Sequence, residues 1–173
     1  TPVNGKYGKE MSFNGSTSYA QASSPVIGTT GTVAVRFKIN THKTHNYVYN
    51  NFNSTTSGVY FRINGSGELE IRVNPQFVNP LQTLVAGVYY TYILQWDGAT
   101  IRLYKDGVQV YSVAQSSAHV VGTNNLTFGR DTTGVEARFS DIVISHWRND
   151  SRIWTADEAR AWSLNPSVED SLS

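Results

Sequence analysis

AGVYYTYILQWDGATIRLYKDGVQVYSV, residues 86–113, carries the clearest structural signal in the chain. Asp97-Gly98 and Asp106-Gly107 each separate runs rich in β-branched and aromatic residues. A tight hairpin turn needs positive φ, which glycine adopts without strain and aspartate tolerates. The stretch therefore predicts three short strands joined by two tight turns. Side chains alternate along a strand, so Tyr90, Tyr92, Leu94 and Trp96 share one face, and Tyr89, Thr91, Ile93 and Gln95 the other. Large apolar surface on both faces predicts an interior strand, hence an antiparallel meander inside an all-β domain.

Neighbouring segments extend that pattern. MSFNGSTSYAQA (11–22) reads as a strand, an Asn14-Gly15 turn and a second strand near Tyr19. In TVAVRFKI (32–39), Val33, Val35, Phe37 and Ile39 point inward while Ala34, Arg36 and Lys38 point out, a half-buried strand. A polar loop over 41–45 leads into a short aromatic strand, Tyr47 to Tyr49. Val59, Phe61 and Ile63, then Leu69, Ile71 and Val73 after a turn, line one face of a hairpin; Tyr60, Arg62, Glu68, Glu70 and Arg72 line the other. Pro75 and Pro80 bound a segment unsuited to a central strand. NLTFG (125–129) is a brief strand, and EARFSDIVISHW (136–147) a longer one whose alternation slips at Ser140-Asp141, predicting a bulge there. Thr155 with Glu158 makes a capping box, and Trp154 with Ala159 a hydrophobic staple, for a helix over 156–164 that stops before Asn165-Pro166. Many short strands and one late helix predict a two-sheet antiparallel β-sandwich. The domain is expected over residues 10–165, with a lead-in at 1–9 and a flexible tail at 166–173.

Composition narrows the possible functions. The chain has 173 residues, room for one domain with a real core, and a net charge of +1 that offers no field to nucleic acid or anionic lipid. The absence of cysteine excludes disulfides, thiol chemistry and cysteine-ligated zinc, but leaves the compartment open. Charged residues are 16%, below the ~25% usual for globular domains. Asn, Ser and Thr, at 14, 18 and 17 residues, supply the polarity instead. Such a surface suits an extracellular or virion-surface protein. No apolar run reaches membrane-spanning length, so no membrane insertion is expected. The chain opens on Thr1 rather than Met, as a processed or excised piece does.

The order of these segments resembles one family. MSFNGSTSYAQ resembles the opening "aLxFDGxxDYV" of laminin G-like, concanavalin A-like jelly-roll domains, and GTVAVRFKI their "FTVEAWVK" strand. Residues 86–110 are similar to "GxWhhvAvtyDGttvrLYvDGxlv", NNLTFGRD to "xxlyiGxx", and FSDIVISHWRNDSRIWTADEARAW to "iDeVriynraLsxeEiaaL". The match runs in order over about residues 10–164. It implies two curved antiparallel sheets in a jelly roll, and a structural calcium ion as in many members. Where the family has the FDG aspartate this chain has Asn14, which leaves Asp141 and Asn14 as the candidate metal ligands; the favoured alternative is that Asp141 caps a bulge or pairs locally.

The family includes glucan-cleaving enzymes that carry three carboxylates on one strand as E-x-D-x-(x)-E. The nearest stretch, Glu68 to Val73, offers Glu68 and Glu70 on one face but a basic or apolar residue in the third position. Arg62 and Arg72 beside them favour the ionised carboxylate, the wrong direction for a general acid. No G-x-S-x-G elbow and no phosphate loop occur, and His42, His45, His119 and His146 have ordinary strand or loop contexts. The expectation is no enzymatic activity. Sugar recognition needs flat apolar faces and planar polar groups. Tyr60, Arg62, Glu70 and Arg72 on one strand face, with His45 and Tyr47 beside them, are the candidate ligand-binding residues. The leading reading is a non-catalytic carbohydrate-binding or adhesion module with a glycan as partner. Its rival is a structural domain of a phage-like particle that contacts other particle proteins. Sequons at Asn14, Asn53, Asn64, Asn125 and Asn149 matter only in a eukaryotic secretory host.

Overall fold

The computed structural model describes residues 2–5, 8–23, 28–52, 57–131 and 138–165. Within these, β1 (Pro2–Gly5), β2 (Gly8–Asn14), β13 (Asp141–Asp150), β4 (Gly31–Ile39), β9 (Tyr89–Trp96), β10 (Thr100–Lys105) and β11 (Val108–Ala114) form one sheet in that order. A six-stranded sheet packs against it in the order β3 (Ala20–Ala22), β12 (Leu126–Phe128), β5 (His45–Asn50), β6 (Val59–Asn64), β7 (Leu69–Val73), β8 (Gln76–Val78). All strand pairs between neighbours are antiparallel. The expected antiparallel β-sandwich is the fold observed. The tail at 166–173, the strand start at Glu136 and the Asn53 sequon lie outside the described residues.

Alternation builds the core. Phe37, Tyr92, Leu94 and Trp96 from one sheet meet Tyr49, Phe61, Ile63, Leu69, Ile71 and Phe128 from the other in a single buried cluster. β9 lies between β4 and β10, the interior position that its two apolar faces require. Its outer face is closed by α1 (Ala156–Leu164), whose Trp162 and Ala159, with Trp154, pack on Ala34, Ile93 and Tyr104. Ala34, expected at the surface, is therefore buried, and β4 is half-buried only toward its end. The capping box is complete: Glu158 N–H donates to Thr155 Oγ1 at 3.2 Å and Thr155 N–H to Glu158 Oε2 at 2.7 Å. Gln95 Nε2 donates to the Trp154 carbonyl at 2.9 Å and pins the helix entry to the sheet.

Three local expectations are corrected. Asp97 pairs with Thr100 through its N–H, so the first turn is Gly98-Ala99, with positive φ at Gly98 alone; Asp97 Oδ1 accepts from both Ala99 and Thr100 N–H. Asp106-Gly107 is the two-residue turn with φ of 49° and 85°. The slip in the long strand falls at Ser145, where β13 shifts register against β4, not at Ser140-Asp141. β2 and β3 do not form a hairpin, because the Asn14 turn carries the chain from one sheet to the other. Gln76–Val78 forms an edge strand, a position where a nearby proline costs no ladder bond.

Candidate glycan-binding face

The seven-stranded sheet has its outer face under the helix, while the outer face of the six-stranded sheet has no helix on it among the described residues. Register brings one row of side chains across that face: Gln21, Thr127, Asn50, Tyr60, Arg72 and Phe77 are successive cross-strand partners from β3 to β8. The neighbouring row places Tyr47 opposite Arg62 and Arg62 opposite Glu70. Five of the six sequence candidates thus lie on adjacent strands of one face. His45 joins them at the start of β5, stacked 6.2 Å from Tyr47.

Of the aromatic residues in these rows only Phe77, at the β8 edge, is exposed; Tyr47, Phe52 and Tyr60 are buried. Tyr60, expected as the exposed stacking platform, is 5% exposed. It meets Tyr47 and Phe52 edge-on at 6.0 and 5.4 Å, and the Arg62 guanidinium covers it at 5.2 Å. Arg72 lies over Phe52 at 5.8 Å. Tyr47, Phe52 and Tyr60 form a small buried cluster with the Arg62 and Arg72 guanidinium groups lying over it. Arg62 is neutralised by Glu70 and donates to Tyr47 Oη at 3.3 Å. Asn64 Nδ2 donates to Glu68 Oε2 at 2.8 Å and Glu70 Oε1 at 3.3 Å. Both carboxylates that could have served acid–base chemistry are therefore held by amide or guanidinium donors. Burial pushes the Tyr47 and Tyr60 hydroxyls above their ordinary pKa. Burial, reinforced by the Arg62 and Arg138 charges, holds His45 below its ordinary value.

Beside this shelf lies a pocket of about 270 Å³ that the alternation pattern did not reveal. Gln21, Asn124, Asn125, Thr127, Arg130 and Asp131 line it, a set of amides, a hydroxyl, a guanidinium and a carboxylate. Gln21 Nε2 donates to Thr127 Oγ1 at 3.4 Å, and Asn124 Nδ2 to the Phe52 carbonyl at 3.0 Å. Asp131 joins pocket to shelf, because its charge acts on both His45 and Tyr47. Exposed Tyr19 stands at the rim, its ring 4.8 Å from the Arg130 guanidinium. These residues come from chain segments about a hundred positions apart, so no local pattern could have grouped them. A larger hollow of about 520 Å³ lies beside the β13 bulge between Met11 and Trp147. Fewer polar groups converge there.

The metal expected at Asn14 and Asp141 does not fit the residues present. The two are direct partners across β2 and β13, but their oxygens are already occupied. Asn14 Oδ1 accepts from the N–H groups of Ser16, Thr17 and Ser18 and from Ser18 Oγ, at 2.9 to 3.1 Å. Asp141 accepts from Asn40 Nδ2 at 2.9 Å and Thr41 Oγ1 at 2.7 Å. Lys43 Nζ sits on the Gly15 carbonyl at 3.1 Å, so a fixed cation already stands beside the pair. Calcium needs six to eight free oxygens. Among the described residues no group of three His, Cys, Asp or Glu could hold a metal ion. No helix of the described residues is long and apolar enough to cross a membrane.

Solved structures share the fold at low identity. Domain 4 of the extracellular arabinanase AbnA from Geobacillus stearothermophilus, in complex with arabinotriose, superimposes with a TM-score of 0.72 and 16% identity, over 94% of this chain and 80% of that one. The CBM40 of Ruminococcus gnavus IT-sialidase, bound to α2,3-sialyllactose, gives a TM-score of 0.60 and 12% identity over 78% and 82%. The binding domain of Paraclostridial Mosquitocidal Protein 1 gives 0.74 and 10% over 94% and 45%. No curated protein matches the chain. A family model for the concanavalin A-like lectin/glucanases superfamily matches residues 14–158, in agreement with the two-sheet fold, and the chain belongs to that superfamily.

Proposed function

We propose that this domain is a non-catalytic carbohydrate-binding module that works outside the cell or on a cell or particle surface. The single observation that carries the reading is the uncovered face of the six-stranded sheet, where the polar pocket adjoins the guanidinium shelf. Planar amides and guanidinium groups match the in-plane hydroxyl pairs of a sugar ring, and Tyr19 offers a ring at the rim. Similarity to domains solved with arabinotriose and sialyllactose supports the same class of ligand. Absence of chemistry is supported by Glu68 and Glu70, which are engaged by Asn64 and Arg62 rather than set apart as an acid and a base. A purely structural domain of a particle gives no reason for a pocket of convergent polar groups. A glycan array tests the proposal: the wild-type chain retains a defined glycan, and Gln21→Ala with Asn125→Ala, both exposed pocket residues, abolishes retention while the melting temperature holds. Retention of no glycan, or retention indifferent to the pair of substitutions, overturns it.

A further inference from the structure

We propose that the ligand of this face is an acidic glycan, with a sugar carboxylate seated on Arg130. The inference rests on the carbohydrate-binding reading and narrows it to a substrate class. Arg130 lies just beyond β12 with its guanidinium 4.8 Å from the Tyr19 ring and 5.7 Å from that of Phe139. The two rings stand 6.3 Å apart at 45°, so the guanidinium is held by aromatic surface on two sides. Its Nε is out of water and has no hydrogen-bond partner, and no carboxylate of the described residues pairs with it. A buried donor without an acceptor is costly unless a ligand supplies one.

Arg130 is not alone in this. Asn50 Nδ2, on a fully buried side chain, and Arg72 Nε are also buried without partners, and both belong to the cross-strand row described above. All three of these unsatisfied atoms of the described residues are N–H donors. A neutral sugar brings hydroxyls that both donate and accept, whereas a carboxylate only accepts. Charge points the same way. Glu70 neutralises Arg62, while among the described residues Arg72 and Arg130 have no ion pair. Asp131 also lines the pocket, and Arg138, whose carbonyl accepts from Asp131 N–H at 3.1 Å, brings a charge of opposite sign to the same segment. A guanidinium fork fixed in orientation is the geometric complement of a planar carboxylate. Gln21 and Asn125 then remain for the hydroxyls of the same or the adjoining sugar.

Calorimetry on the full chain with trigalacturonic acid and its carboxyl-reduced counterpart, and with sialyllactose and lactose, tests the proposal. At least one acidic member binds on the order of tenfold more tightly than its neutral partner, and the preference shrinks as NaCl rises from about 50 to 500 mM. Arg130→Gln removes the preference. Arg130→Lys keeps a cation between the rings, and with it the melting temperature, yet loses most of the preference because the fork is gone. Equal affinity within both pairs overturns the inference, as does a preference that survives Arg130→Lys and Arg130→Gln intact. If neither pair binds, the array decides: retention confined to carboxylate glycans supports it. Retention confined to neutral or sulfated glycans overturns it while the carbohydrate reading stands, and retention of nothing overturns both.

Discussion

Arg62 and Glu70 face each other across β6 and β7 with side chains 20% and 16% exposed, and the pair forms the lid over Tyr60. Tyr60 therefore contributes to stability rather than to a binding surface. Replacing it by alanine empties the space between Tyr47 and Phe52. By analogy with buried aromatic truncations the cost is about 3 kcal/mol, read as a lower urea midpoint with unchanged slope. A Tyr60→Ala variant as stable as wild type contradicts this placement. Glycan binding lost in that variant would report on folding, which is why the exposed Gln21 and Asn125 make the cleaner probes. The direction in which Tyr60 points was legible in the sequence, since Val59 and Phe61 had to face the core. Its burial was not, because the covering groups, Phe52, Tyr47 and Arg62, meet it only through strand pairing. Asn14 shows the same limit: its type and place suggested a ligand, while the four donors that occupy its oxygen are set by the backbone of the following turn.

Helix α1 is where local sequence and tertiary packing agree most closely. Its start, its cap and its buried pair Ala159 and Trp162 all follow from a capping box placed after an apolar residue. Thr155→Ala removes one half of the box and costs about 1 kcal/mol. Glu158 makes the element sensitive to acid. Hydrogen bonds from Arg152 and the Thr155 N–H hold its carboxyl at about 2 against an ordinary 4.5. A carboxylate whose pKa is lowered by folding stabilises the native state above its unfolded value. That contribution is present at neutral pH and fades as pH falls from about 4.5 toward about 2. Fluorescence of Trp154 and Trp162 followed down this range reports the loosening, and Thr155→Ala loosens at higher pH. A titration flat to pH 2 in both proteins contradicts the role given to the box. The hairpins were less fully legible. Asp-Gly announced two turns, but only one is centred on the dipeptide, because Asp97 spends its carboxylate on the N–H groups of the following residues. The bulge in β13 was misplaced for a related reason: the partner strands that define a register are distant in sequence.

For the molecule as a whole, the apolar core lies between the two sheets, with a second cluster under the helix. Adding 1 mM EDTA or 5 mM calcium chloride should each leave the melting temperature within ~1 °C, since no ligand-linked term enters the folding equilibrium. A calcium-dependent rise of several degrees contradicts the reading of Asn14 and Asp141. The sandwich itself was legible from alternation, turn residues and the late helix. The binding face was half legible: parity put Tyr47, Arg62, Glu70 and Arg72 on one side, while the pocket needed the third dimension, where β12 carries Thr127 between Gln21 and Asn50. The proposed function rests on that face. Amide chemical shifts recorded while the array-selected glycan is titrated into the labelled protein locate the contact. The largest changes should fall on Gln21, Asn125, Thr127 and Arg130, extend to Tyr47 and Arg62, and leave the glycan uncut after prolonged incubation. Changes centred on Met11 and Trp147 or on α1, or the appearance of shortened glycan, would contradict it.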